Sequence, residues 1–420
     1  MRSLRELYRI GIGPSSSHTM GPQAAARAYL QRHPEAKAFE VTLYGSLAAT
    51  GKGHMTDVAI LGILQPHAPV DLRWEPTVFL PFHPNGMKFA CFDADGNRAD
   101  EWTVYSVGGG ALREEGASGD ESPSLYDLTT MEDIMRWCQQ SGRSFWEYVG
   151  RCEGEGIWDY LREVWEVMQA SVERGVDHEG VLPGPLGLQR KAPVYYVKAK
   201  GYKANLQSSG LVYAYALAVS EENASGGRIV TAPTCGSCGV LPAVLYHLGH
   251  NHTFSEERIL HALATAGLIG NLVKFNASIS GADVGCQGEV GVACAMASAA
   301  ACQLFGGSVA QIEYAAEMGL EHHLGMTCDP VCGLVQIPCI ERNAFAAARA
   351  LDANFYASLS DGQHRVSFDR IVRVMKQTGT TCRRSTKRLP KVDLPKFIIE
   401  NSRENQLTKL LTYAEPGIFV

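Results

Sequence analysis

Three cysteines in the second half of the chain have the setting of ligands for an iron–sulfur cluster. Cys286 lies in the segment GCQGE, and Cys328 and Cys339 lie in the segment TCDPVCGLVQIPC. Cysteine thiolates are the usual protein ligands of such clusters. A cubic cluster has four irons, so three thiolates would leave the remaining iron open as a Lewis acid. This pattern indicates hydration or elimination chemistry and not electron transfer alone.

The chain has 12 cysteines, so other uses of its thiols stay open. Cys332 lies four residues after Cys328, and Cys235 and Cys238 form a C-x-x-C pair, a spacing found in redox and metal sites. A zinc site built from both pairs would have irregular ligand spacing. Burial as a structural thiol is the ordinary role of any single cysteine. We expect that role for Cys91, Cys138, Cys152, Cys294 and Cys302.

Two polar loops in the first 60 residues carry histidines. The first loop, GIGPSSSHTMGP, precedes a helical pattern, and backbone amides at a helix start suit a carboxylate or a phosphate. A serine-rich helix cap is the structural alternative. The second loop, GKGHMTD, holds His54, which can act as a general base if a carboxylate such as Asp57 orients it. The candidate residues of the first loop are Ser15, Ser16, Ser17, His18 and Thr19.

Two further segments contain residues of interest. His83 lies in FHPNGM, where we expect it to have a structural role in a turn. Asn276 and Ser278 lie in NASISGADVGC, which places small, hydroxyl and amide groups directly before Cys286. A buried helix is predicted just after that cysteine, and a position near a helix start favours the thiolate form.

Composition and charge restrict the class of protein. A chain of 420 residues exceeds one typical domain, so two domains are expected. The net charge of -6 argues against a nucleic-acid partner. The most apolar stretch, 290–305, is shorter than the roughly 20 residues that span a bilayer, and the N-terminus lacks the apolar core of a signal peptide. Together with irregular cysteine spacing, these features predict a cytoplasmic protein with no membrane partner.

The apolar pattern predicts an α/β N-terminal domain followed by an all-α C-terminal domain. Alternating and β-branched residues indicate a strand at 39–47, and Pro84-Asn85-Gly86 indicates a hairpin between strands at 77–82 and 88–93. Helical periodicity then predominates, and many apolar helices are compatible with a homodimer. The predicted helices cover 147–174, 205–219, 257–272, 290–305, 308–324 and 340–352.

Taken together, these segments resemble the iron–sulfur-dependent L-serine dehydratases of bacteria, in their single-chain form. The matching segments follow the family's order through nearly the whole chain. They are IGIGPSSSHTMGP, LYGSLAATGKGHMTD, LPFHPNGM, YSVGGG, VMQASVERG, TAPTCGSCGVLPA, NASISGADVGCQGEVG and GMTCDPVCGLVQIPCIERNA.

The resemblance implies both a domain plan and a reaction. The plan is an α/β domain at 1–150, a helix and linker at 151–191, a helical catalytic domain at 192–390 and a divergent tail at 391–420. The reaction converts L-serine, or a close β-hydroxy amino acid, to a 2-oxo acid and ammonia.

The resemblance also implies the residues of the site. A 4Fe-4S cluster would be held by Cys286, Cys328 and Cys339 and would face both histidine loops across the domain junction. His18 and His54 would line the substrate site, with His54 as the base. The expected substrate-binding residues are Ser15, Ser16, Ser17, Thr19, Asp57, Asn276 and Ser278.

The chain departs from the family in several places. Members usually have Asn at the position of Cys235 and a small residue at that of Cys332, and many end in a cysteine that reaches the fourth iron. This chain ends in GIFV and its last cysteine is Cys382, so its final residue is not expected to cap the cluster. The roles of Cys235, Cys238, Cys332 and Cys382 stay open.

Three alternatives remain. The same cluster would also support elimination from L-cysteine or L-threonine. A non-catalytic redox sensor would use the extra cysteines but not the histidine loops. A pyridoxal phosphate enzyme would use Lys203 or Lys274 as its Schiff-base lysine, although we find no convincing glycine-rich phosphate cup after a strand near either lysine.

Overall fold

The computed structural model describes residues 1–116, 124–327 and 330–386. Cys328, the predicted tail at 391–420 and the side chain of Cys382 lie outside this description. The predicted fold class is confirmed, because a sheet with helices is followed by a mainly helical part. The strands are β1 (Ile10–Ile12), β2 (Ala38–Tyr44), β3 (Val70–Glu75), β4 (Gly86–Phe92), β5 (Arg98–Ser106), β6 (Leu112–Arg113) and β7 (Arg228–Val230).

Helices make up most of the remaining described residues. None of these helices has the length and apolar character needed to cross a bilayer. The helices are α1 (Gly21–Arg32), α2 (Gly45–Thr50), α3 (Thr56–Leu64), α4 (Met131–Ser141), α5 (Phe145–Glu153), α6 (Gly156–Asp177), α7 (Ala192–Lys200), α8 (Ala204–Ala224), α9 (Val240–Asn251), α10 (Glu256–Asn276), α11 (Gly281–Val284), α12 (Val290–Leu304), α13 (Val309–Glu321), α14 (Cys339–Ser358) and α15 (Phe368–Thr386).

The five-stranded sheet and the helices α1, α2 and α3 enclose the smaller of two hydrophobic cores. The strand order is β3-β2-β4-β5-β6, with β2 and β3 parallel and the other pairs antiparallel. β4 lies at the centre, and its sequence GMKFACF is correspondingly apolar. Tyr29 from α1 and Leu64 from α3 pack on Phe39 and Phe89 of the sheet. This packing fixes the starts of α1 and α3, where the two histidine loops end.

The larger core lies among the helices around α12. Nearly every residue of α12 is buried, and most are Ala or other small residues. Small side chains let α10, α13 and α14 approach this helix closely, which favours dense packing of the kind found in protein interiors. The helices predicted here are confirmed, except that the pattern at 147–174 belongs to two helices. Gly154, whose φ is 75°, ends α5 before α6 begins.

The hairpin predicted around 84–86 is wrong. β4 begins at Gly86, but it pairs with β2 on one side and β5 on the other, so residues 77–82 have no strand position beside it. The turn that precedes β4 instead binds neighbouring loops. Its Pro84 carbonyl accepts the Ser46 amide at 3.0 Å, and its Asn85 side chain donates to the Ser106 carbonyl at 3.2 Å.

The N-terminal segment belongs physically to the helical part. Met1 and Tyr8 are buried in the larger core, and the Tyr8 hydroxyl donates to the Leu263 carbonyl at 2.9 Å. β1 then pairs antiparallel with β7. The first histidine loop therefore starts from a strand attached to the helical part and ends in α1 on the sheet. The predicted domain boundaries themselves stay a prediction.

One buried carboxyl group in the helical part yields a stability prediction. Burial, and then the charges of Glu321 and Glu313, raise the pKa of Glu317 to about 8. Its pKa in an unfolded chain is near its ordinary value, so stability is lost as the pH rises from the unfolded pKa toward the folded one. We expect Glu317→Gln to stabilise the protein by about 1–3 kcal/mol at pH 8 and to have little effect near pH 4.5.

Thermal unfolding of both proteins at the two pH values checks this expectation. Glu166→Gln is the matched control, because Glu166 is an exposed carboxylate on α6. Equal stabilisation by Glu317→Gln at both pH values would contradict the assignment of a raised pKa.

Candidate active site

The first histidine loop is held by its own hydroxyl groups. The Ser15 hydroxyl accepts the His18 amide at 3.2 Å, and the Ser15 amide donates to the Thr19 hydroxyl at 3.1 Å. Ser16 is buried, and its hydroxyl accepts the Cys235 amide at 2.9 Å, which ties the loop to the helical part. Three of the predicted substrate-binding hydroxyls therefore have structural contacts. Their role in binding a substrate stays a prediction.

The structure brings the two predicted catalytic histidines together. The ring centroids of His18 and His54 lie 4.6 Å apart, with 33° between the ring planes. The Thr19 hydroxyl donates to the His54 carbonyl at 2.6 Å, so the first loop also holds the backbone of the second. Burial, and then the neighbouring His54, lower the pKa of His18 to about 3. His18 is therefore neutral at physiological pH, and its Nδ1 and Nε2 contact the hydroxyls of Ser17 and Ser46.

His54 is held with one ring nitrogen available as a base. Its Nδ1 lies 3.0 Å from the Thr50 carbonyl oxygen. A carbonyl only accepts hydrogen bonds, so this contact assigns the proton of the neutral ring to Nδ1 and the lone pair to Nε2. Burial lowers the pKa of His54, which favours that neutral form. The orienting group is thus a backbone carbonyl and not Asp57, whose Oδ1 accepts the Val58 amide at 2.9 Å.

The loop that carries His54 packs against the loop that carries Cys332. A methyl group placed on Gly53 would lie 3.3 Å from the Leu334 side chain and 3.5 Å from the Cys332 carbonyl oxygen. Cys332 itself is exposed and has a positive φ of 56°. Both loops line a cavity of about 300 Å³, to which Met55 also contributes. The histidine side and the cysteine side of the site are therefore in direct contact.

Two of the three predicted cluster ligands are neighbours. Cys286 begins a short turn before α12, and Cys339 is the first residue of α14. Burial raises the pKa of the Cys339 thiol, and the charge of Cys286 raises it further, as expected for two adjacent thiols. The Arg342 side chain opposes this effect and donates to the Thr327 carbonyl at 2.9 Å. The residue next to Cys328 is thereby held to the helix that carries Cys339.

This donor set fits a cluster in its chemistry. Adjacent thiols, Cys286 buried and Cys339 partly exposed, with a guanidinium beside Cys339, are suited to becoming thiolates once a metal provides positive charge. Cys328, the third predicted ligand, lies outside the described residues. Within the described residues, no group of three or more His, Cys, Asp or Glu side chains is arranged to hold a metal ion.

The C-x-x-C pair has a different environment. Both cysteines are buried, and burial raises the pKa of Cys235 to about 12. The Cys235 sulfur lies 3.7 Å from the Met20 sulfur. Cys238 has its pKa raised by burial as well. Thiols that burial holds in their neutral form behave as core residues.

Asn276 and Ser278 have well-defined local contacts. The Asn276 amide donates to the Thr129 and Leu272 carbonyls at 2.8 and 2.9 Å, so both of its hydrogens bind backbone. The Ser278 hydroxyl donates to Asp283 at 3.0 Å. Ser278 also lines a second cavity of about 460 Å³, which lies between residues 107–113 and α10. Substrate binding by either residue stays a prediction.

The second cavity contains one of the lysines considered for a Schiff base. Burial, and then the charge of Arg9, lower the pKa of Lys274 to about 8. Its Nζ donates to the Glu6 carbonyl at 3.1 Å. Neither His18 nor His54 lines this cavity.

Sequence reasoning missed two polar residues of this region. Ser46 contacts His18 and lies in the segment LYGSLAATG. Glu289 lies in CQGEVG, and its carboxylate accepts the Thr234 hydroxyl at 2.8 Å. Burial raises the pKa of Glu289. Both residues lie inside segments that match the family. Their location in those segments, and not the residue type, was the sequence feature that could have identified them as site residues.

Comparisons with known proteins agree with this arrangement. The family model described as serine dehydratase alpha chain matches residues 99–394, and the beta-chain model matches 3–72 and 63–117. The chain is 41% identical to the L-serine dehydratase of Streptomyces coelicolor, over 90% of this chain and 94% of that protein. It is 39% identical to the L-serine dehydratase of Haemophilus influenzae and 40% identical to the L-serine dehydratase TdcG of Escherichia coli, each over 90% of this chain and 95% of the relative. The chain therefore belongs to the serine dehydratase family and combines its alpha-chain and beta-chain parts in one polypeptide.

Proposed function

We propose that this protein is a lyase that converts L-serine to pyruvate and ammonia with the help of a 4Fe-4S cluster. One observation carries the proposal: a neutral, oriented histidine base lies on a loop that packs against the loop of the predicted cluster ligands. The names of the relatives support L-serine as the substrate. The cluster would be held by Cys286, Cys328 and Cys339.

The first chemical difficulty is the weak acidity of the α-proton. His54 presents the Nε2 lone pair to accept this proton, and its Nδ1–H remains bonded to the Thr50 carbonyl. That carbonyl also stabilises the positive charge that the ring acquires, and it raises the pKa of His54 against the effect of burial. General-base catalysis by a positioned side chain contributes about 10²–10⁴-fold.

The second difficulty is the poor leaving ability of hydroxide. When bound, the cluster would supply an open iron that takes up the negative charge of the leaving hydroxyl. The protein contributes the thiols, the helix start at Cys339, and the positive charge of Arg342 beside it. Loss of the α-proton and hydroxide gives an enamine, which tautomerises and hydrolyses in water to pyruvate and ammonia.

The pH profile should show the effect of burial on His54. Because burial lowers the pKa of this histidine, its basic form persists below the ordinary value of 6.5. We therefore expect the acidic limb of kcat/KM to fall below pH 6.5, since the free-enzyme base is lost only when its ring becomes protonated. Steady-state rates between pH 5 and 9, with bound iron measured at each pH, check this expectation. An acidic limb above pH 7 would contradict it.

The proposal is tested by anaerobic purification followed by quantification of iron and sulfide. We expect about four irons per chain, and production of pyruvate and ammonia from L-serine. A panel containing L-threonine and L-cysteine separates the alternative eliminations by their products. Full activity after removal of all iron would refute the cluster assignment, whereas a bound cluster with no ammonia from any amino acid would favour the redox sensor.

A further inference from the structure

A hydrogen bond to the His83 ring determines which of its two nitrogens carries the proton. Its Nδ1 lies 3.1 Å from the Asn85 backbone nitrogen, which donates to it. A ring nitrogen that accepts an N–H carries the lone pair, so the proton of the neutral ring is on Nε2. Burial lowers the pKa of His83, which favours the neutral form. His83 therefore offers a donor at its other nitrogen, whereas His54 offers an acceptor.

The turn that carries His83 is attached to the histidine pair through Ser46. The Ser46 amide donates to the Pro84 carbonyl at 3.0 Å, and the Ser46 hydroxyl lies 3.2 Å from Nε2 of His18. Gly45 has a φ of 51°, and a methyl group on it would lie 2.6 Å from the Pro84 carbonyl oxygen. Only glycine permits this close approach. The position of His83 relative to His18 is thus set by short, rigid contacts.

Electrostatic interactions link the His83 ring to both sides of the site. A positive charge on His83 lowers the pKa of His18, after burial and His54. On the other side, the charge of Asp283 acts on His83 and opposes the effect of burial on its pKa. Asp283 accepts the Ser278 hydroxyl and lies three residues before Cys286. The ring is therefore within electrostatic reach of both the base pair and the segment leading to the first cysteine.

We propose that His83 is a further catalytic residue, a neutral imidazole that donates its Nε2–H to a carboxylate oxygen of the substrate. This inference rests on the proposed function, because it requires removal of the α-proton by His54. As that proton leaves, negative charge spreads onto the carboxylate oxygens. A donor fixed at this place stabilises the charge without giving up its proton. Neutral imidazole acts in this way in other enzymes that form an enolate-like species.

Two substitutions separate catalysis from a role in the turn. His83→Asn keeps an acceptor near the place of Nδ1, so the Asn85 contact survives, but it removes the donor at Nε2. His83→Gln reverses this, because its amide N–H reaches the place of Nε2 and the turn loses its acceptor. We expect kcat on L-serine to fall about 10²–10³-fold in the Asn variant. The Gln variant should be at least tenfold more active than the Asn variant, at equal iron content.

The isotope effect of α-deuterated L-serine gives a second measurement. It should increase in the Asn variant, because loss of the donor makes removal of the α-proton slower relative to the other steps. Wild-type activity in the Asn variant, or a Gln variant no more active than the Asn variant, would overturn the inference and leave His83 with a structural role. Inactivity of the iron-loaded wild-type protein toward L-serine would instead overturn the proposed function, and the inference with it.

Discussion

Replacement of His54 by Gln is expected to lower kcat on L-serine by about 10²–10⁴-fold, the usual contribution of a general base. Glutamine places an amide near the position of Nε2 but has no basic nitrogen there. Because His54 is predicted as the base and not as a cluster ligand, iron content and the visible absorption of the cluster should be unchanged. Anaerobic rate measurements alongside iron analysis check both parts.

The control for this substitution is His250→Gln. His250 makes the same kind of bond as His54, since its Nδ1 contacts the Tyr246 carbonyl four residues earlier at 2.9 Å. It is exposed at the end of α9. We expect wild-type activity in this variant. Normal turnover by the His54→Gln variant would require a different base.

Replacement of Cys286 or Cys339 by Ala is expected to remove iron and activity together. Mutation of groups that only orient a metal ligand costs about 10–100-fold in metal affinity or activity. Loss of a ligand itself should cost at least as much. Iron and sulfide analysis after anaerobic reconstitution, paired with the pyruvate assay, measures both quantities, and Cys328→Ala should behave in the same way.

Cys152→Ser serves as the control for the cysteine variants. Cys152 lies on α5 and is partly exposed, and no sequence pattern places it near the cluster. It should retain full iron and full activity. A Cys339→Ala protein that kept both would exclude this cysteine as a ligand.

Local sequence patterns predicted the helical part well. α12 is nearly uniform in small apolar residues, so burial on every face follows from its composition. The positions of Cys286 and Cys339 at the starts of helical segments follow from the turn-forming Gly285 and Pro338 before them. The family resemblance predicted that His18 and His54 line one substrate site, and the structure places their rings in contact. Neither loop, read alone, predicts that contact.

Features that depend on distant contacts were not predictable from local pattern. Thr50 orients His54 through its backbone carbonyl, and every residue has a backbone carbonyl, so no side chain indicates this role. The sequence suggested a hairpin at 84–86 because Pro-Asn-Gly is a strong turn signal. The turn exists, but β2 and β5 occupy both edges of β4. Strand partners are decided by the whole sheet and not by the turn alone.

The pairing of β1 with β7 has a consequence for how the two parts of this protein can be separated. A chain severed after residue 116 would leave a first fragment that still inserts Met1 and Tyr8 into the interior of the second. The fragments should then behave as subunits of a heterodimer and copurify without a covalent link. A covalent link would then not be required for the two fragments to associate, because the N-terminal strand β1 would still pair with β7 of the second fragment.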